Sequence, residues 1–372
     1  MRISGKTPVI ATVLAIFLLL PACKQSAAPE SAPTEPPSSE AASPPPARDA
    51  ETPAEISFFA MDTYMQLKAY GEEADAAVAA MQDEIMYLDG LFTHTGTESD
   101  VTRINGNAGT AVPVAEDMMK ILRRTGEMSA LTGGVLDITV HPIVAGYGFP
   151  TGDYHVLSPD ERAELLAYVD YKSVLLNETA GTAQLERAGM AISLGAVAKG
   201  YASNRAAEIC GDMGITSALI ALGGNIHALG AKPDGSLWRV AVQDPFSDAD
   251  YAGVLAVEDC AVITSGGYQR YFDIEENGET VRYHHIIDPS SGLPAKSGLE
   301  SVTIITRDGV LGEALSTALF VMGLDGASEF WRETGGFEAV FITDSGEAHI
   351  TAGLAKSYSP LGNYGNPIVI AG

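Results

Sequence analysis

The chain has 372 residues and is strongly acidic, since 48 Asp and Glu side chains outnumber 22 Lys and Arg side chains and give a formal net charge of −26 at pH 7. Nucleic-acid binding needs a basic surface, so this charge argues against nucleic acid as a partner. A substrate that carries phosphates would need a bound cation or oriented backbone amides, because the protein as a whole repels anions.

The first 22 residues have the composition of an export signal. Two basic residues precede a twelve-residue apolar run at 9–20. This run is shorter than the roughly 20 residues that span a membrane and is typical of a signal-peptide core. It leads into Leu-Pro-Ala-Cys, ending at Cys23, which resembles a bacterial lipobox. We therefore expect cleavage before Cys23 and lipid anchoring through Cys23 on the extracytoplasmic face of the cell membrane; an ordinary signal peptide is the alternative.

Residues 23–55 are predicted to form an extended tether. The segment holds eight of the chain's 20 prolines, no aromatic residue and almost no large aliphatic residue. Such a composition cannot bury enough apolar surface to fold. The folded body is predicted to start near Ile56, and residues 56–372 are long enough for one large domain or two interleaved lobes.

Two segments of the body have clear helical signals. Five apolar residues fall at helical spacing: Val78, Met81, Ile85, Leu88 and Phe92. Their period predicts an amphipathic helix. Further along, Ser158 is followed by Pro159, which suits the first helical position, and by Glu161 in the register of a capping box. This second pattern predicts a helix that begins after Ser158.

Strand-like runs dominate the second half of the body. They are rich in apolar and β-branched residues and lie at 217–222, 238–242, 260–265, 302–306 and 339–343. Strands and helices do not alternate regularly, and no repeat is visible. The pattern predicts an α+β fold with mostly antiparallel sheets and packed helices.

Three glycine-containing segments suggest places where a ligand could approach the backbone. In SLGAVAKGY (193–201), a Gly-Ala turn precedes a predicted helix that carries Lys199, which is a plausible anion site, although such turns are more often structural. In ALGGNIHALG (221–230), a strand runs into paired glycines, and His227 is expected to be a packed side chain. In TSGGYQRYF (264–272), a strand ends in small residues whose hydroxyls and amides could face a ligand.

The spacing of histidines and cysteines argues against a zinc site. His284 and His285 are consecutive in YHHIIDPSSG, so on a strand they point to opposite faces and cannot bind the same ion. No further ligand stands at a suitable spacing. Asp288 directly precedes a proline, which predicts a turn. Cys210 and Cys260 are expected to be separate buried thiols, and a disulfide between them is the alternative.

Together and in this order, these segments resemble the ApbE-type FAD:protein FMN transferase family. The likeness covers nearly the whole body and is carried by FFAMDTYM, LFTHTGTESDVTRIN, GGVLDITVHPIVAGYGF, SLGAVAKGY, ALGGNIHALG, WRVAVQDP, TSGGYQRYF, YHHIIDPSSGLP and GEALSTALFVMG. The resemblance implies an α+β body with a flavin cleft between sheet and helices, in the lipoprotein form of the family.

The resemblance also implies a reaction. FAD would be bound as substrate, its pyrophosphate would be split with Mg²⁺, and FMN would be attached by a phosphoester bond to a Thr or Ser of another protein with release of AMP. The implied acceptors are flavoprotein subunits of membrane electron-transfer complexes or extracytoplasmic flavoproteins. A hard dication would supply the positive charge that an acidic protein lacks. Two alternatives remain: an FAD pyrophosphatase and a lipid-anchored flavin-binding protein without turnover.

Roles for individual residues follow from the resemblance. His285 would be the general base for the acceptor hydroxyl, which suits a side chain that titrates near neutrality, and His284 would support it. The cation would be held by the main-chain carbonyl of Ala196 and by Glu313 and Thr317, which share a helix face. The implied flavin contacts are Met61, Thr95, Leu136, Asp137, Ser193, Lys199 and Ile286.

The chain departs from the family pattern at several of these positions. Glu313 replaces the usual Asp, and Asp62 stands where the family often has Gly. Ser193 stands where an acidic residue is usual, and Thr95 stands where Tyr is frequent. The alternative interpretation of the metal helix is that Glu313 is a helix N-terminal charge and Thr317 is a packed residue.

Overall fold

The structure is a computed structural model that describes residues 3–5, 51–276 and 278–372. The predicted lipidation site at Cys23 and nearly all of the predicted tether lie outside these residues. The seven α-helices of the described residues are α1 (Ala74–Phe92), α2 (Asp100–Gly106), α3 (Glu116–Leu131), α4 (His141–Gly146), α5 (Pro159–Leu166), α6 (Ala198–Asp212) and α7 (Gly309–Thr334).

The strands of the described residues are β1 (Ile3–Gly5), β2 (Ala54–Ala60), β3 (Thr63–Tyr70), β4 (Val112–Pro113), β5 (Val174–Asn177), β6 (Thr182–Leu185), β7 (Ser217–Leu222), β8 (Asn225–Leu229), β9 (Trp238–Gln243), β10 (Tyr251–Val257), β11 (Cys260–Gly266), β12 (Tyr271–Glu276), β13 (Glu279–His284), β14 (Leu299–Thr306), β15 (Glu338–Thr343), β16 (Ala348–Thr351), β17 (Tyr358–Pro360) and β18 (Ile368–Ile370). Short 3₁₀ turns lie at Ile138–Val140, Tyr171–Ser173, Ala352–Leu354 and Gly362–Tyr364. The body begins with β2, two residues before the predicted start at Ile56.

A nine-stranded sheet forms the centre of the fold, in the order β18-β16-β15-β14-β11-β8-β7-β3-β2. Its neighbouring strands are antiparallel except for β16 and β18. Three smaller sheets have the orders β1-β12-β13, β17-β10-β9 and β4-β6-β5. The predicted α+β class with mostly antiparallel sheets is confirmed, and the five predicted strand runs correspond to β7, β9, β11, β14 and β15.

Three helices cover one face of the large sheet. Helix α1 packs on β2 and β3, α6 packs on β7 and β8, and α7 packs on β11 and β14, while neighbouring helices contact each other. The opposite face is covered by the β9-β10-β17 sheet, whose apolar side chains join those of β11 and β15 in a second core. Side chains along β15 alternate between the two cores, because successive residues of a strand point to opposite faces.

The local predictions for the helices hold. All five apolar residues at helical spacing are buried on α1. Helix α5 begins at Pro159, and Ser158 and Glu161 form the expected reciprocal capping box. Cys210 and Cys260 are both buried and free, which closes the disulfide alternative.

Helix α7 is the long central helix of the core. Among the described helices it is the one long and apolar enough to cross a membrane by length and composition, and most of it is buried inside the protein. Its path bends at Gly323, where φ is 75° and ψ is 173°. A Cβ atom at Gly323 would lie 2.9 Å from the carbonyl oxygen of Ser297. The bend therefore requires glycine both for its positive φ and for this close approach.

Candidate active site

The first turn of α6 and the first turns of α7 meet at the centre of the site. The turn that precedes α6 is closed by the amides of Val197 and Ala198, which donate to the carbonyl of Leu194 over 2.9 and 2.8 Å. A Cβ atom at Gly200 would lie 2.2 Å from the carbonyl oxygen of Gly309. Glycine at position 200 therefore allows the starts of the two helices to approach each other directly.

Glu313 from α7 connects this helix start to its surroundings. Its side chain is almost fully buried, and its Oε2 accepts a hydrogen bond of 2.7 Å from the amide of Gly200. Oε1 accepts a hydrogen bond of 3.0 Å from Nδ2 of Asn225 and forms an ion pair with Lys199. A buried carboxylate needs such partners, because an isolated one would pay a large desolvation cost. Glu313 thus acts as a cap for α6, contributed by the neighbouring helix.

Further oxygen atoms lie one turn along α7. The Oγ1 of Thr317 is 3.4 Å from the carbonyl oxygen of Glu313 and 3.3 Å from the Oγ of Ser265. Ser265 Oγ also lies 2.8 Å from Ser316 Oγ. Ala196 is half-buried in the turn before α6. These carboxylate, hydroxyl and carbonyl oxygens have the hard donor chemistry that Mg²⁺ prefers.

Nitrogen and sulfur ligands do not cluster in the part of the chain that the structure describes, where no group of three or more His, Cys, Asp or Glu side chains could hold a metal. A cation in this site would depend on one carboxylate, on hydroxyl and carbonyl oxygens and on water, which is the usual situation of Mg²⁺ in proteins.

His285 directly follows β13 and is held by Arg270. The amide of His285 donates to the carbonyl of Arg270 over 3.1 Å, and Nδ1 of its ring lies 3.2 Å from the same oxygen. A carbonyl only accepts hydrogen bonds, so Nδ1 carries the proton and Nε2 remains the basic nitrogen. Desolvation lowers the pKa of His285 to about 3, and the positive charges of Arg270 and Lys199 act in the same direction. The ring is therefore neutral at pH 7.

His284 has a different environment from its neighbour. Its Nε2 lies 3.0 Å from the carbonyl of Ala295, and its Nδ1 accepts a hydrogen bond of 3.3 Å from the amide of Ile286. Its ring meets Phe320 of α7 edge-on, with centroids 5.5 Å apart. The two histidines thus contact different groups, and both ring nitrogens of His284 are used within the fold.

The predicted turn after this segment is also present. The amide and Oγ of Ser290 donate to Oδ1 of Asp288 over 2.8 and 2.7 Å, and Oγ of Ser291 donates to its Oδ2 over 2.9 Å. These bonds form an Asx-type turn, in which the aspartate side chain replaces backbone partners. The turn fixes the exit of the chain from the His285 region.

His227 is a packed residue, as predicted. It lies on β8 with 6% of its surface exposed, and its Nδ1 is 3.3 Å from the Oγ of Ser203 on α6. Burial lowers its pKa to about 4. It supports the contact between sheet and helix and makes no contact with His285.

One predicted flavin contact, Met61, lies on a hairpin near the start of the strand that carries Asn225, a partner of Glu313. Met61 and Asp62 form the two-residue turn of the β2–β3 hairpin, with φ values of 49° and 58°. The strand that follows meets the glycine pair before β8, where a Cβ atom at Gly223 would be 2.5 Å from the side chain of Thr63. The hairpin turn at Met61 therefore lies near the glycine pair that leads into Asn225, the first residue of β8.

A second group of predicted contacts meets at the Leu136-Asp137 corner. The amide of Ser193 donates to the carbonyl of Ile138 over 3.1 Å. The Asp137 carboxylate accepts bonds from the amide of Thr139 over 2.8 Å and from the amide of Tyr171 over 2.9 Å. The Asp137 side chain is thus used to hold its own corner. Leu136 is buried, as is Ile286.

Thr95 stands apart from both groups. It is exposed in the loop between α1 and α2, and its amide donates to Thr93 Oγ1 over 3.1 Å. Sequence reasoning did not select Asn225, Ser265 or Arg270. The first two lie in the motifs ALGGNIHALG and TSGGYQRYF and could have been chosen as polar residues at strand ends, whereas Arg270 acts through its backbone carbonyl and leaves no side-chain signal.

A surface cavity of about 670 Å³ lies elsewhere, lined by residues that include Arg307, Trp331 and Arg332. It contains none of the predicted site residues. Chemistry depends on convergent polar groups rather than on volume alone, so the Glu313–His285 region is the better candidate for the active site.

Comparison with known proteins identifies the family. The model of the ApbE family matches residues 61–341 of this chain. The chain belongs to the ApbE family. Two curated relatives are named FAD:protein FMN transferase: one from Treponema pallidum, 32% identical over 311 residues that cover 78% of this chain and 85% of that protein, and one from Klebsiella pneumoniae, 31% identical over 303 residues that cover 81% and 92%.

Solved structures of the family have the same fold. The ApbE protein of Thermotoga maritima superimposes with a TM-score of 0.75 at 30% identity, over 82% of this chain and 98% of that one. The flavinyl transferase ApbE of Pseudomonas stutzeri, in its apo form, gives a TM-score of 0.70 at 25% identity, over 80% and 93%. These comparisons confirm the predicted family, fold and enzyme class, a transferase, whereas the assignments of individual site residues stay predictions.

Proposed function

We propose that this chain is a Mg²⁺-dependent FAD:protein FMN transferase that attaches FMN through a phosphoester bond to a Thr or Ser of a target flavoprotein and releases AMP. Membership of the ApbE family supports the general activity. The observation that carries the mechanism is the neutral ring of His285, whose Nδ1 is fixed by the carbonyl of Arg270 so that Nε2 can accept a proton.

In the proposed reaction, Nε2 of His285 takes the proton of the acceptor hydroxyl. The hydroxyl oxygen then forms a bond to the phosphorus of the FMN half, and the bond from that phosphorus to AMP breaks. Desolvation is the main cause of the low pKa of His285 in the free protein, and the charge of Lys199 makes a smaller contribution. The negative charge of a bound pyrophosphate would raise the pKa of His285, and a more basic ring is a stronger general base.

The oxygen donors around α7 would hold the cation. Glu313, Thr317 and the carbonyl of Ala196 fit Mg²⁺ in their donor chemistry. When bound, the ion supplies positive charge that neutralises phosphate oxygens. The first turn of α6 adds the amide dipoles that favour anions at a helix start, and Lys199 adds a full charge on the same turn.

The proposed location follows from the sequence of the first residues. Cleavage before Cys23 and lipidation of Cys23 would leave the enzyme on the extracytoplasmic face of the cell membrane, with residues 23–55 as a tether. The acceptors would then be flavoprotein subunits of membrane electron-transfer complexes or extracytoplasmic flavoproteins. A long tether suits such partners, because it increases the reach of an anchored enzyme.

The test is to mix the purified protein with FAD, Mg²⁺ and a candidate acceptor flavoprotein and to look for flavin fluorescence on the denatured acceptor in a gel. One alternative is hydrolysis of FAD at the same site, in which water takes the place of the acceptor hydroxyl. Accumulation of free FMN and AMP without a fluorescent acceptor would support the pyrophosphatase. Bound FAD without AMP release would support a binding protein.

A further inference from the structure

The carboxylate of Glu313 is already neutralised by the protein itself. It accepts hydrogen bonds from the amide of Gly200 and from Nδ2 of Asn225, over 2.7 and 3.0 Å, and it forms an ion pair with Lys199. The Glu313 side chain is 4% exposed and that of Lys199 is 24% exposed. Three donors therefore share an acceptor that solvent hardly reaches.

An ammonium group and a divalent cation compete for such a carboxylate. A carboxylate offers about four lone-pair positions, and three donors already approach this one. The Oε1 atom faces both Lys199 and Asn225, so a cation can bind it fully only if Lys199 moves away. A cation placed beside a fixed ammonium would also be repelled, and burial strengthens this repulsion.

The length of the Glu313 side chain explains why this competition arises in this chain. Compared with an aspartate at this position, the extra methylene of Glu313 moves the carboxylate farther from α7 by about 1.5 Å. This reach brings Oε2 to the amide of Gly200 and Oε1 to Lys199 in the first turn of α6. A shorter side chain would withdraw from both partners.

We propose that Lys199 is a positioning residue that holds the Glu313 carboxylate in the metal-free protein and must be displaced when a divalent cation binds. A displaced Lys199 would pair with the substrate's phosphate oxygens, so the cation and the phosphate would favour each other's binding. The identity of the phosphate ligand rests on the proposed function. The competition between Lys199 and the cation does not, and it can be measured without turnover.

The test uses Mn²⁺ as a spin probe for the site, because Mn²⁺ accepts the same oxygen ligands as Mg²⁺. Binding is followed by the loss of the free-ion EPR signal, and the relevant site is the one that Glu313→Gln abolishes. Lys199→Met should bind Mn²⁺ at least about fivefold more tightly than the unmodified protein. The matched control is Lys68→Met, which removes an equal charge from a more exposed ion pair with Glu55 and should leave the affinity unchanged.

A second variant separates competition from general electrostatics and serves if Lys199→Met does not fold. Glu313→Asp should also tighten Mn²⁺ binding, because the shorter carboxylate leaves Lys199. Adding Lys199→Met to Glu313→Asp should then gain little, since residues that act through one contact are not additive. Three results would overturn the proposal. Lys199→Met could tighten Mn²⁺ binding equally in the unmodified protein and in Glu313→Asp, or it could leave the Mn²⁺ affinity unchanged or weaker. The third result is that neither the unmodified protein nor Lys199→Met has a Mn²⁺ site that depends on Glu313.

The outcome is independent of the proposed function. Tighter Mn²⁺ binding in Lys199→Met together with no FMN transfer would retain the competition and reject the transferase. FMN transfer by the unmodified protein together with unchanged Mn²⁺ binding in Lys199→Met would retain the transferase and reject the competition. ADP serves as a pyrophosphate probe for the phosphate that a displaced Lys199 would bind. ADP should tighten Mn²⁺ binding more in the unmodified protein than in Lys199→Met. Equal effects of ADP in the two proteins would count against the pairing of Lys199 with phosphate oxygens.

Discussion

Replacing His285 by alanine tests the proposed base directly. The variant removes the Nε2 that the Arg270 contact leaves free to accept a proton. Loss of a general base typically costs 10² to 10⁴ in rate, so we expect FMN transfer to fall by about 10² or more, equivalent to about 2.7 kcal/mol of transition-state stabilisation. The ring makes one hydrogen bond, to a backbone carbonyl, so folding and FAD binding should change little, with the FAD dissociation constant within a few-fold.

The assay compares initial rates of acceptor flavinylation at saturating FAD and Mg²⁺, with FAD affinity measured separately by flavin fluorescence. His284→Ala is the matched control, since it removes an adjacent ring bonded to Ala295 and Ile286. It should lower the free energy of unfolding by about 2–4 kcal/mol while the folded protein keeps a rate within several-fold. Equal rate losses in both variants, or loss of FAD binding in His285→Ala, would refute the assignment.

The pH dependence gives an independent check on the same residue. The profile of kcat/KM reports groups of the free enzyme, in which the pKa of His285 is lowered to about 3. Between pH 8 and 5.5 His285 should therefore stay neutral, and its protonation should produce no decline of kcat/KM near pH 6.5. A decline of kcat/KM toward acid pH with a midpoint near 6.5, present in the unmodified protein and absent in His285→Gln, would contradict the lowered pKa of His285.

Three further predictions concern the metal helix, the buried histidine and the anchor. Glu313→Ala should require far more Mg²⁺ for the same transfer rate, and Thr317→Val should have a weaker effect in the same direction. Transfer rates across a Mg²⁺ series and calorimetric titration of Mg²⁺ measure this dependence. If the Mg²⁺ dependence is unchanged in Glu313→Ala, α7 does not hold the ion. Burial lowers the pKa of His227 to about 4, so the unfolded state binds its proton first as pH falls below about 6.5. His227 should therefore cost about 2 kcal/mol of folding stability between pH 6 and 4.5. In denaturant unfolding, the stability lost over this pH range should be smaller by about this amount in His227→Gln, and an equal loss in the two proteins would reject the prediction. Cys23→Ser should yield an uncleaved or soluble protein with an intact catalytic body, and diacylglycerol still attached to that variant would end the lipoprotein interpretation.

Local sequence patterns predicted much of this fold because their causes are local. The buried apolar face of α1 follows from the helical period of 3.6 residues, and the capping box at Ser158 needs residues only three positions apart. The different ring contacts of His284 and His285 are compatible with the alternation of side chains along a strand. Each of these features could be predicted without knowledge of any distant segment.

The environment of Glu313 could not be predicted in this way. Its partners Gly200 and Asn225 are 113 and 88 residues away along the chain, and only the packing of α6 on α7 and of β8 on α6 brings them together. The turn at Met61 and Asp62 was hidden for another reason. Both residues adopt positive φ without glycine, so the usual sequence signal of a type I′ hairpin is weak.

Intact-mass measurement of an acceptor flavoprotein tests the proposed activity most directly. The acceptor is incubated with this protein, FAD and Mg²⁺, and AMP is quantified in the same sample. Transfer predicts that the acceptor gains the mass of one FMN less one water, that AMP appears in equal amount, and that both are lost when the acceptor's Thr or Ser is replaced by alanine. An acceptor of unchanged mass while FAD is consumed to free FMN and AMP would contradict the transferase.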